Sequence, residues 1–341
     1  MSKNGSSEAK KQIILNCLSD GHFHSGEKLG QLLGITRSAV GKHIKGLTEL
    51  GIEVFSIQGK GYCLAEHLQL LSKQDIESHY QTLRGGDEQE SRTLPSIVVE
   101  HVTASTNETL LQKIRANSPL SNGDTVVAEC QTAGRGRRGR AWISPFGAHI
   151  YFSMYWQFEG IQQAMGLSLA VGLAVRAAIA PLVDSSVKVK WPNDLLIEQQ
   201  KLAGILIELE GQADGPCGVV IGIGINVNMP QQQAEKIDQP WTEINSHCSD
   251  TVDRNKLIAR LIYQLKQTLV DFEQNGLQTT HDQWQQHDHY YDKPITLVMG
   301  SRQLSGLCKG IDRQGGVLLQ ETDKDITSAY YGGEISLRPQ S

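Results

Sequence analysis

Apolar residues recur at helical spacing three times within the first 50 residues, which predicts three consecutive short helices. The positions are Ile13, Ile14, Cys17 and Leu18, then Leu29, Leu32 and Leu33, then Val40, Ile44 and Leu47. Gly34 separates the second helix from the third, where a tight turn needs a positive φ, and Thr36 can cap the third helix. From Val54 to Leu64, apolar residues alternate on both sides of Gly59-Lys60-Gly61, which predicts a β-hairpin. Together these elements predict a winged helix-turn-helix over residues 1–66.

The charge of this N-terminal region favours nucleic acid as its partner. Residues 1–65 contain eight Lys and Arg against five Asp and Glu, although the whole chain carries a net charge of −5. We expect the third helix and the hairpin to contact bases and phosphates. The candidate DNA-binding residues are Thr36, Arg37, Ser38, Lys42, His43, Lys45 and Lys60. A solvated helical bundle has the same apolar stripes, but the glycine turn, the basic face and the hairpin favour a DNA-binding module.

Beyond residue 66 the pattern changes twice. The segment from Ser72 to Leu83, with Ser72 and Asp75 at capping-box spacing, predicts a connecting helix, and the polar stretch that follows predicts a linker, so residues 67–95 would join two domains. Strands and helices mix over residues 96–276, which predicts an α+β or α/β body. The predicted strands are SIVVEHV, DTVVAEC, IYFSMYW, KVKWPNDLLI, KLAGILIEL and CGVVIGIGINV. Over residues 277–341, short apolar strands between polar turns predict a small β-barrel.

Two further features limit the class of protein. The most apolar stretch, residues 164–182, is rich in Gly and Ala and contains Arg176, so we expect a buried helix and no membrane span. The N-terminus has no apolar signal segment, which favours a cytoplasmic protein. The six cysteines form no C-x-x-C pair, and His22, His24 and His247 have no partners at zinc spacing. We therefore expect reduced thiols and no structural metal.

Residues 134–140, GRGRRGR, combine four arginines with three glycines. Such a run can be an RNA-binding segment, a solvated loop, or a loop that closes over a phosphate-bearing ligand. It lies between a predicted strand and the segment AWISPFG, hence inside a folded domain, and guanidinium groups match phosphate and carboxylate oxygens. We therefore favour a polyphosphate or acyl-phosphate ligand. The chain has no G-x-x-x-x-G-K-[ST] sequence, and GIGIN lacks a third dinucleotide-fold glycine, so neither a P-loop nor a Rossmann site is predicted.

Six short motifs follow one another along the chain. They are STN (105–107), QTAGRGRRGRAWISPFG (131–147), KWPNDL (190–195), KLAGIL (201–206), GIGINV (222–227) and GGEISLR (332–338). In this order, with the winged helix and the small barrel on either side, they resemble the bifunctional biotin protein ligases that also repress the biotin operon. The resemblance covers almost the whole chain. It implies an α+β multidomain fold with an N-terminal winged helix-turn-helix, a central mixed α/β ligase domain similar to class II synthetases, and a C-terminal SH3-like β-barrel.

The resemblance also implies a two-step reaction. Biotin would react with ATP, accompanied by Mg²⁺, to give biotinyl-5′-AMP and pyrophosphate, and a lysine of the biotin carboxyl carrier protein would then take the biotinyl group. Lys201 would act electrostatically between the biotin carboxylate and the α-phosphate, without becoming acylated. Ser105, Thr106 and Gln131 would bind the ureido ring, under an apolar cover from Trp142. No protein ligand of Mg²⁺ is implied.

The site residues implied by the resemblance fall into three sets. The catalytic set is Lys201, Arg135 and Arg137. The biotin-binding set is Ser105, Thr106, Asn107, Gln131, Arg135, Gly136, Arg137, Trp142 and Lys201. The nucleotide-binding set is Arg137, Asn193, Asp194, Asn226, Trp241 and Arg338.

Some of these residues have ordinary structural explanations as well. STN can cap the helix that begins at Glu108, Asn193 and Asp194 can form a plain turn after Pro192, and Trp241 can be a core residue. These alternatives stay open until the positions of the side chains are known.

Regulation and partners follow from the same resemblance. Biotinyl-5′-AMP would be the corepressor: it would favour a homodimer through the central domain, and the dimer would bind operator DNA of the biotin operon. The carrier protein of acetyl-CoA carboxylase would compete for the dimer surface. Three other functions stay open at this point: a transcription regulator that only senses a small ligand, an acyl-adenylating ligase for lipoate or an amino acid, and a ligase whose N-terminal domain no longer binds DNA.

Overall fold

A computed structural model of the chain describes residues 3–64, 68–85, 94–211, 215–321, 326–332 and 335–339, with side chains from residue 9 onward except at residue 232. The N-terminal elements are α1 (Lys3–Leu18), α2 (Gly26–Leu33), α3 (Arg37–Thr48), β1 (Val54–Ile57) and β2 (Gly61–Leu64). Gly34 has a left-handed φ of 63°, and the Thr36 hydroxyl accepts a hydrogen bond from Ala39 N–H at the start of α3. β1 and β2 pair as an antiparallel hairpin. The predicted winged helix-turn-helix is confirmed, while its predicted end at residue 66 lies outside the described residues.

Most predicted apolar positions of this unit lie in its core. The buried ones are Ile14, Leu18, Leu29, Val40, Ile44 and Leu47. Ile13 and Leu32 lie within the predicted helices but are 41% and 61% exposed. Each precedes a residue that packs in the core, Ile14 or Leu33. Because successive helical residues are about 100° apart, both members of such a pair cannot face the core equally.

The central region is built on a seven-stranded sheet. Its elements are α4 (Lys73–Arg84), β3 (Ile97–Thr103), α5 (Thr106–Arg115), β4 (Thr125–Gln131), β5 (Ile150–Phe158), α6 (Leu167–Ile179), β6 (Val187–Lys190), β7 (Asp194–Ile197), β8 (Gln200–Gly211), β9 (Cys217–Ile225), α7 (Gln231–Ala234) and α8 (Arg254–Asn275). The strand order is β3-β4-β5-β9-β8-β7-β6. β3 and β4 are parallel, and the other neighbouring pairs are antiparallel. The sheet is therefore mixed, and the body is of the α+β kind.

Helices cover both faces of the sheet centre, which explains its continuous apolar strands. On one face Val127, Met154 and Ile221 belong to a core that includes α6 and α8. On the other face Tyr155 and Val220 pack with α5. Since successive strand residues point to opposite faces, a strand buried on both sides shows no alternation of apolar and polar residues. α6 is the buried helix predicted within residues 164–182. Among the described residues, no helix combines the length and the apolar character that crossing a membrane needs.

Two predicted elements of this region differ in the structure. α4 is more than a connection, because Ile76 and Tyr80, four residues apart on one helix face, are buried against α8 and the central core. KVKWPNDLLI is not one strand but the hairpin of β6 and β7, with a cis Trp191–Pro192 peptide in its turn. Proline lacks the N–H that a strand interior needs, and Pro192 with Asn193 is a turn sequence. Of the predicted linker, residues 86–93 lie outside the described residues.

The C-terminal region contains α9 (Gln278–His287) and a five-stranded antiparallel sheet. Its strands are β10 (Pro294–Met299), β11 (Arg302–Ile311), β12 (Val317–Glu321), β13 (Thr327–Tyr330) and β14 (Ile335–Pro339), in the order β13-β12-β11-β10-β14. β13 was not predicted because its sequence, TSAY, has no apolar run. The indole N–H of Trp191 donates to Gly315 O at 3.0 Å, which ties the β6–β7 turn to this region. Each of the six cysteines is a free thiol.

A buried ion pair fastens the segment after the hairpin to the central sheet. Glu129 of β4 and Arg254 of α8 are buried, with Oε2 and Nη1 2.8 Å apart. Leu71 N–H donates to the other Glu129 oxygen, and Arg254 Nη2 donates to Gln69 O. Breaking a buried pair of this kind leaves an uncompensated charge, which is costly. The winged-helix core also includes Cys130 and Phe146, so the N-terminal unit packs directly against the central region.

We expect the free energy of unfolding to fall below pH 6.5 because of His149. Its imidazole is fully buried, and this burial, helped by the charge of Arg254, lowers its pKa from 6.5 to about 3. As the pH falls, the unfolded chain takes up a proton at His149 first, so this contribution to stability is complete above pH 6.5 and is lost progressively down to about pH 3. Between pH 7.5 and 5.5, urea unfolding should show a loss about 1 kcal/mol larger for the wild type than for His149→Gln. Equal losses in the two proteins would contradict the prediction.

Candidate active site

A cavity of about 390 Å³ lies over the start of β8 and the end of β9. The arginine loop (residues 134–140), the β6–β7 turn, residues 236–241 and β14 surround it. It brings together nearly all the predicted site residues, namely Ser105, Thr106, Asn107, Gln131, Arg135, Gly136, Arg137, Trp142, Asn193, Asp194, Lys201, Asn226 and Trp241. The exception is Arg338, which is exposed on β14, while residues 335–337 of that strand line the cavity.

The first residues of α5 form a buried polar wall at one end of the cavity. Ser105, Thr106 and Asn107 are each no more than 4% exposed. Ser105 occupies the N-cap position of α5, but its hydroxyl makes no capping hydrogen bond, so capping does not explain this residue. Thr106 N–H donates to Gln131 Oε1 at 2.9 Å, which fixes the start of α5 to the end of β4. Hydroxyl and amide groups held in a dry wall suit a polar, uncharged part of a ligand.

The arginine loop closes on itself beside this wall. Gly136 N–H donates to Arg140 O at 2.8 Å, and residues 137–139 form a short 3₁₀ turn. Arg137 Nη1 donates to Asn193 Oδ1 at 2.7 Å, which links the loop to the β6–β7 turn. Burial lowers the pKa of the Arg137 guanidinium, and the nearby Asp194 opposes this. A guanidinium that has already lost part of its hydration interacts more strongly with an anion than an exposed one does.

Arg135 has its charge balanced by protein carboxylates. Its Nη2 lies 3.0 Å from Glu208 Oε1 and 3.3 Å from Glu108 Oε2. Glu208 was not among the predicted site residues, because a carboxylate near the polar end of a strand pattern gives no signal of its own. In the structure it touches both the arginine loop and the buried wall, through Arg135 and Asn107.

Two lysines, Lys190 and Lys201, line the other end of the cavity. Lys201 Nζ lies 2.8 Å from Asp194 Oδ1 and 5.5 Å from the centre of the Trp142 ring. Lys190, which the sequence reasoning missed, ends β6 nearby: burial lowers its pKa, Asp194 opposes the shift, and Lys201 adds to it. With the arginine loop, these two lysines make a partly dehydrated cationic surface of the kind that binds phosphate.

Asn226 and Trp241 are joined to Lys201 through the backbone. Asn226 Nδ2 donates to Thr242 O at 3.0 Å and to Lys201 O at 3.3 Å. Trp241 is the parallel backbone partner of Lys201. Both residues therefore help to set the position of Lys201, in addition to lining the cavity.

The glycines of β9 are a functional feature that the sequence reasoning also missed. A Cβ at Gly224 would overlap the Trp142 ring, and a Cβ at Gly222 would overlap the Asn107 amide. β9 therefore has no side chain at the two positions where Trp142 and Asn107 pack against it. The sequence GIGIN could have indicated this feature. Alternate residues of a strand lie on one face, and two glycines on the same face allow another segment to pack closely against the strand.

The exposed surface of α3 and the hairpin turn carry the predicted DNA contacts. The exposed residues are Thr36, Arg37, Ser38, Lys42, Lys45 and Lys60. His43 is partly buried, and burial together with the charges of Lys10 and Lys11 lowers its pKa. Lys60 Nζ lies 5.9 Å from the centre of the Phe23 ring. Six of the seven predicted DNA-binding residues are therefore accessible to a partner.

Three family descriptions match the chain in order. They are an HTH domain at residues 10–63, the Biotin/lipoate A/B protein ligase family at residues 99–226, and the Biotin protein ligase C terminal domain at residues 291–338. The chain is 43% identical over 326 residues to the "Bifunctional ligase/repressor BirA" of Salmonella typhimurium, covering 95% of this chain and 96% of that protein. It is 42% identical, with the same coverage, to the protein of that name from Escherichia coli.

A solved structure supports the same grouping. The biotin protein ligase of Aquifex aeolicus, determined in complex with biotin and ATP, is similar with a TM-score of 0.61 and 25% identity, over 72% of this chain and all of that one. Identity above 40% over almost the full length, together with the three domains in their order, places the chain in one family. It belongs to the bifunctional ligase/repressor BirA family of biotin protein ligases.

Proposed function

We propose that this protein joins biotin to the biotin carboxyl carrier protein of acetyl-CoA carboxylase and represses the biotin operon. The observation that carries the ligase activity is one cavity with a buried polar wall at the start of α5 and a cationic end at Lys190, Lys201 and Arg137. The wall suits the ureido ring of biotin, and the cationic end suits a carboxylate and a triphosphate. The Aquifex aeolicus ligase, solved with biotin and ATP, supports the same pair of substrates.

Biotin would lie between the wall and the arginine loop. Ser105, Thr106, Asn107 and Gln131 supply the polar groups for the ureido ring, and the Trp142 ring supplies the apolar cover for the thioether and the valeryl chain. Gly136 and Arg135 close the loop over the ligand. The support for this arrangement is that these residues line one end of the cavity.

In the first step, an oxygen of the biotin carboxylate attacks the α-phosphorus of ATP, a P–O bond forms, and the bond to pyrophosphate breaks. Both reactants are anions, so their approach costs energy unless positive charge lies between them. Lys201 and Arg137 supply that charge and hold the two groups in line. Lys201 acts through its charge and does not become acylated, and Asp194 at 2.8 Å helps to hold it in place.

The nucleotide would occupy the cationic end of the cavity. We assign contacts with it to Arg137, Asn193, Asp194, Asn226 and Trp241, with Arg338 reaching from the exposed edge of β14. Lys190 joins this set on the strength of its position in the cavity wall. Mg²⁺ would enter with ATP, held by phosphate oxygens, and would shield the pyrophosphate as it leaves.

In the second step, the amine of a carrier-protein lysine attacks the carbonyl carbon of biotinyl-5′-AMP. An amide bond forms, AMP leaves with the electron pair of the broken C–O bond, and the amine loses its proton to solvent. We propose that the carrier approaches the cavity at the arginine loop, where the mixed anhydride would lie.

Repression would use the N-terminal unit in response to the same intermediate. We assign DNA binding to residues 1–66, joined by residues 67–95 to catalysis in residues 96–276, with residues 277–341 completing the nucleotide end. Biotinyl-5′-AMP would favour a homodimer that binds the operator, and the carrier protein would compete with dimer formation. Linkage then requires operator binding to tighten the hold on the adenylate. Both activities need a cytoplasmic protein, and we propose that location.

The experiment for the ligase activity is incubation of the full chain with ATP, biotin and purified carrier protein. Mass spectrometry should find one added biotin on a carrier lysine, and pyrophosphate release should match biotin consumption. A parallel reaction with lipoate separates the biotin ligase from the lipoate ligase, since a lipoyl group has no ureido ring for the wall to bind. Carrier that gains no biotin would rule out the ligase proposal.

Removing two basic side chains of α3 should separate repression from ligation. Arg37→Ala/Lys42→Ala removes two exposed positive charges, and neither residue lines the cavity. Gel-shift with a biotin-operon promoter and biotinyl-5′-AMP should show operator affinity at least about tenfold lower and a weaker salt dependence, since fewer phosphate contacts form. Biotin transfer to the carrier should be unchanged. Operator binding equal to that of the wild type would show that α3 is not the recognition helix.

A further inference from the structure

A chain of hydrogen bonds runs beneath the cavity wall from Glu208 to Gln131. Glu208 Oε2 accepts from Asn107 Nδ2 at 2.7 Å. Asn107 Oδ1 accepts from the Ser153 hydroxyl at 2.5 Å, and the hydroxyls of Ser153 and Thr106 are 2.7 Å apart. Thr106 N–H donates to Gln131 Oε1 at 2.9 Å. This series of hydrogen bonds thus connects β8, α5, β5 and β4. It ends at residues that we assign to the biotin ureido ring.

The middle of this chain is closed to solvent. Ser153 has no exposed surface, and Thr106 and Asn107 are each 3% exposed. The bare position at Gly222 lets β9 press against the Asn107 amide. Buried polar groups of this kind have to be satisfied by one another, so each donor must meet an acceptor.

The charge of Glu208 determines the direction of the three side-chain bonds between Glu208 and Thr106, whereas Thr106 N–H donates to Gln131 Oε1 in any case. An ionised carboxylate only accepts, so Asn107 must turn its amide nitrogen to Glu208 and its oxygen to Ser153. That oxygen also only accepts, so the one proton of the Ser153 hydroxyl is used there. Ser153 Oγ must then accept the proton of the Thr106 hydroxyl. The Glu208 carboxylate also pairs with the guanidinium of Arg135 at 3.0 Å.

The direction of the chain decides what the cavity wall offers to a ligand. Thr106 Oγ1 gives its one proton to Ser153 Oγ at 2.7 Å in preference to Gln131 Oε1 at 3.3 Å, so it offers a lone pair to a ligand. Gln131 Oε1 is held by Thr106 N–H, and one proton of Gln131 Nε2 goes to Ser144 Oγ at 3.3 Å, which leaves the second Nε2 proton to donate. An acceptor beside a donor is complementary to a ureido group, whose N–H groups donate and whose oxygen accepts.

We propose that Glu208 is a positioning residue that sets the donor and acceptor polarity of the ureido-binding wall. The inference rests on the proposed function, because it takes biotin as the ligand. Glu208 acts through Asn107, Ser153 and Thr106 and need not touch biotin. Its pairing with Arg135 extends the same carboxylate to the arginine loop, so the loop and the wall are held by one residue.

The test exchanges the carboxylate of Glu208 and the amide of Asn107, first singly and then together. Glu208→Gln should raise the Kd for biotin about tenfold, because an amide at this position can also donate and Asn107 can then turn over. Asn107→Asp should weaken binding by more, since it puts two carboxylates in contact. In Asn107→Asp/Glu208→Gln, the new amide can donate to the new carboxylate, and Ser153 still meets an acceptor. This double variant should bind biotin within about threefold of the wild type.

A matched control lies two residues along the same strand. Glu210→Gln removes the carboxylate that pairs with Arg115, at 3.0 Å, and makes no contact with the chain of hydrogen bonds. It should bind biotin as the wild type does. In Glu208→Gln the affinity for biotin should fall more than the maximal rate of adenylate formation at saturating biotin, because Lys201 and Arg137 keep their own contacts.

Polarity, as distinct from general loosening, is read with a cyclic carbamate analogue of biotin, in which a ring oxygen that accepts replaces the ring N–H that donates to Thr106 Oγ1. The ratio of its Kd to that of biotin should fall about tenfold in Glu208→Gln and return in the double variant. Isothermal titration of each full-length protein measures all of these constants. The proposal is wrong if Glu208→Gln keeps the wild-type Kd and ratio, or if the double variant binds no better than Asn107→Asp.

Two results need separate interpretation. Should Glu208→Gln not give the wild-type circular dichroism spectrum, the comparison of Asn107→Asp with the double variant still decides the question. Failure of the wild type to form biotinyl-5′-AMP would overturn the proposed function. A wild type that is active, with variants that leave biotin binding unchanged, would overturn only the role of Glu208.

Discussion

Replacing Lys201 with alanine should lower the rate of biotinyl-5′-AMP formation on the order of a thousandfold, the largest loss expected of any single substitution in this chain. The ammonium group lies at the cationic end of the cavity, where two anions have to meet. Its removal also leaves Asp194 without its 2.8 Å partner, so a negative charge then faces the incoming phosphates. The loss should appear in the maximal rate, since the charge is most valuable as the anions approach in the transition state.

The measurement is pyrophosphate release under single-turnover conditions with saturating ATP and biotin. Lys188→Ala is the matched control, because Lys188 lies on β6 of the same sheet and donates to Gln286 O at 2.9 Å, outside the cavity. It should release pyrophosphate at the wild-type rate. The Lys201→Ala protein should keep the wild-type circular dichroism spectrum, because a polar side chain at the cavity edge adds little to the core. Near-normal release from it would remove Lys201 from the catalytic set.

Replacing Arg137 with glycine should let the reactive intermediate escape. If the guanidinium holds the adenylate phosphate, its loss removes a charge-assisted contact worth about 1.5–3 kcal/mol, or roughly ten- to a hundredfold in retention. The Asn193 side chain also loses its 2.7 Å donor, so the arginine loop is no longer tied to the β6–β7 turn. A mixed anhydride acylates amines without help, so released biotinyl-5′-AMP should label lysines of bystander proteins. Adenylate-driven repression should weaken with it.

The experiment compares the wild type with Arg137→Gly in ATP, biotin and an unrelated lysine-rich protein, followed by a blot for biotin. Arg138→Gly is the control within the same loop. Arg138 is exposed and has a left-handed φ of 58°, which glycine adopts without strain, so the backbone is preserved while one arginine is lost. Bystander labelling should rise much more in Arg137→Gly than in Arg138→Gly. Equal labelling by all three proteins, with unchanged retention of the adenylate, would mean that the arginine loop binds some other anion.

The N-terminal unit shows which structural features can be predicted from the local sequence pattern alone. Gly34, Thr36 and the glycines of the hairpin turn act within a few residues of themselves, so their effects could be predicted without the rest of the fold. The helical pattern does not decide the burial of each residue: Ile13 and Leu32 are apolar but exposed, next to core residues. Helical spacing identifies a stripe, but the neighbouring helix decides which edge of the stripe is covered.

The site divides in the same way. Residues within one motif, such as the arginines of the loop or Ser105 to Asn107, could be recognised from sequence because they are neighbours in the chain. Lys190, although it opens the motif KWPNDL, and Glu208 were not recognised, because each is a single charge at a strand position that is equally common on a solvated surface. Their importance comes from what lies across the sheet: Asp194 and Lys201 near the first, Asn107 and Arg135 near the second.

By itself, the sequence determined the order of the elements, the family and most of the chemistry-bearing residues, since caps, periodicity and motifs are local properties of a chain. Only the tertiary structure decided which residues contact one another. It buried α4 in the central core, paired Glu129 with Arg254, and gave Glu208 both Arg135 and Asn107. The physical reason is that charge pairing and close packing depend on distances across the sheet. Those distances are set by strand order and register, which join residues far apart in the chain and leave no trace in local spacing.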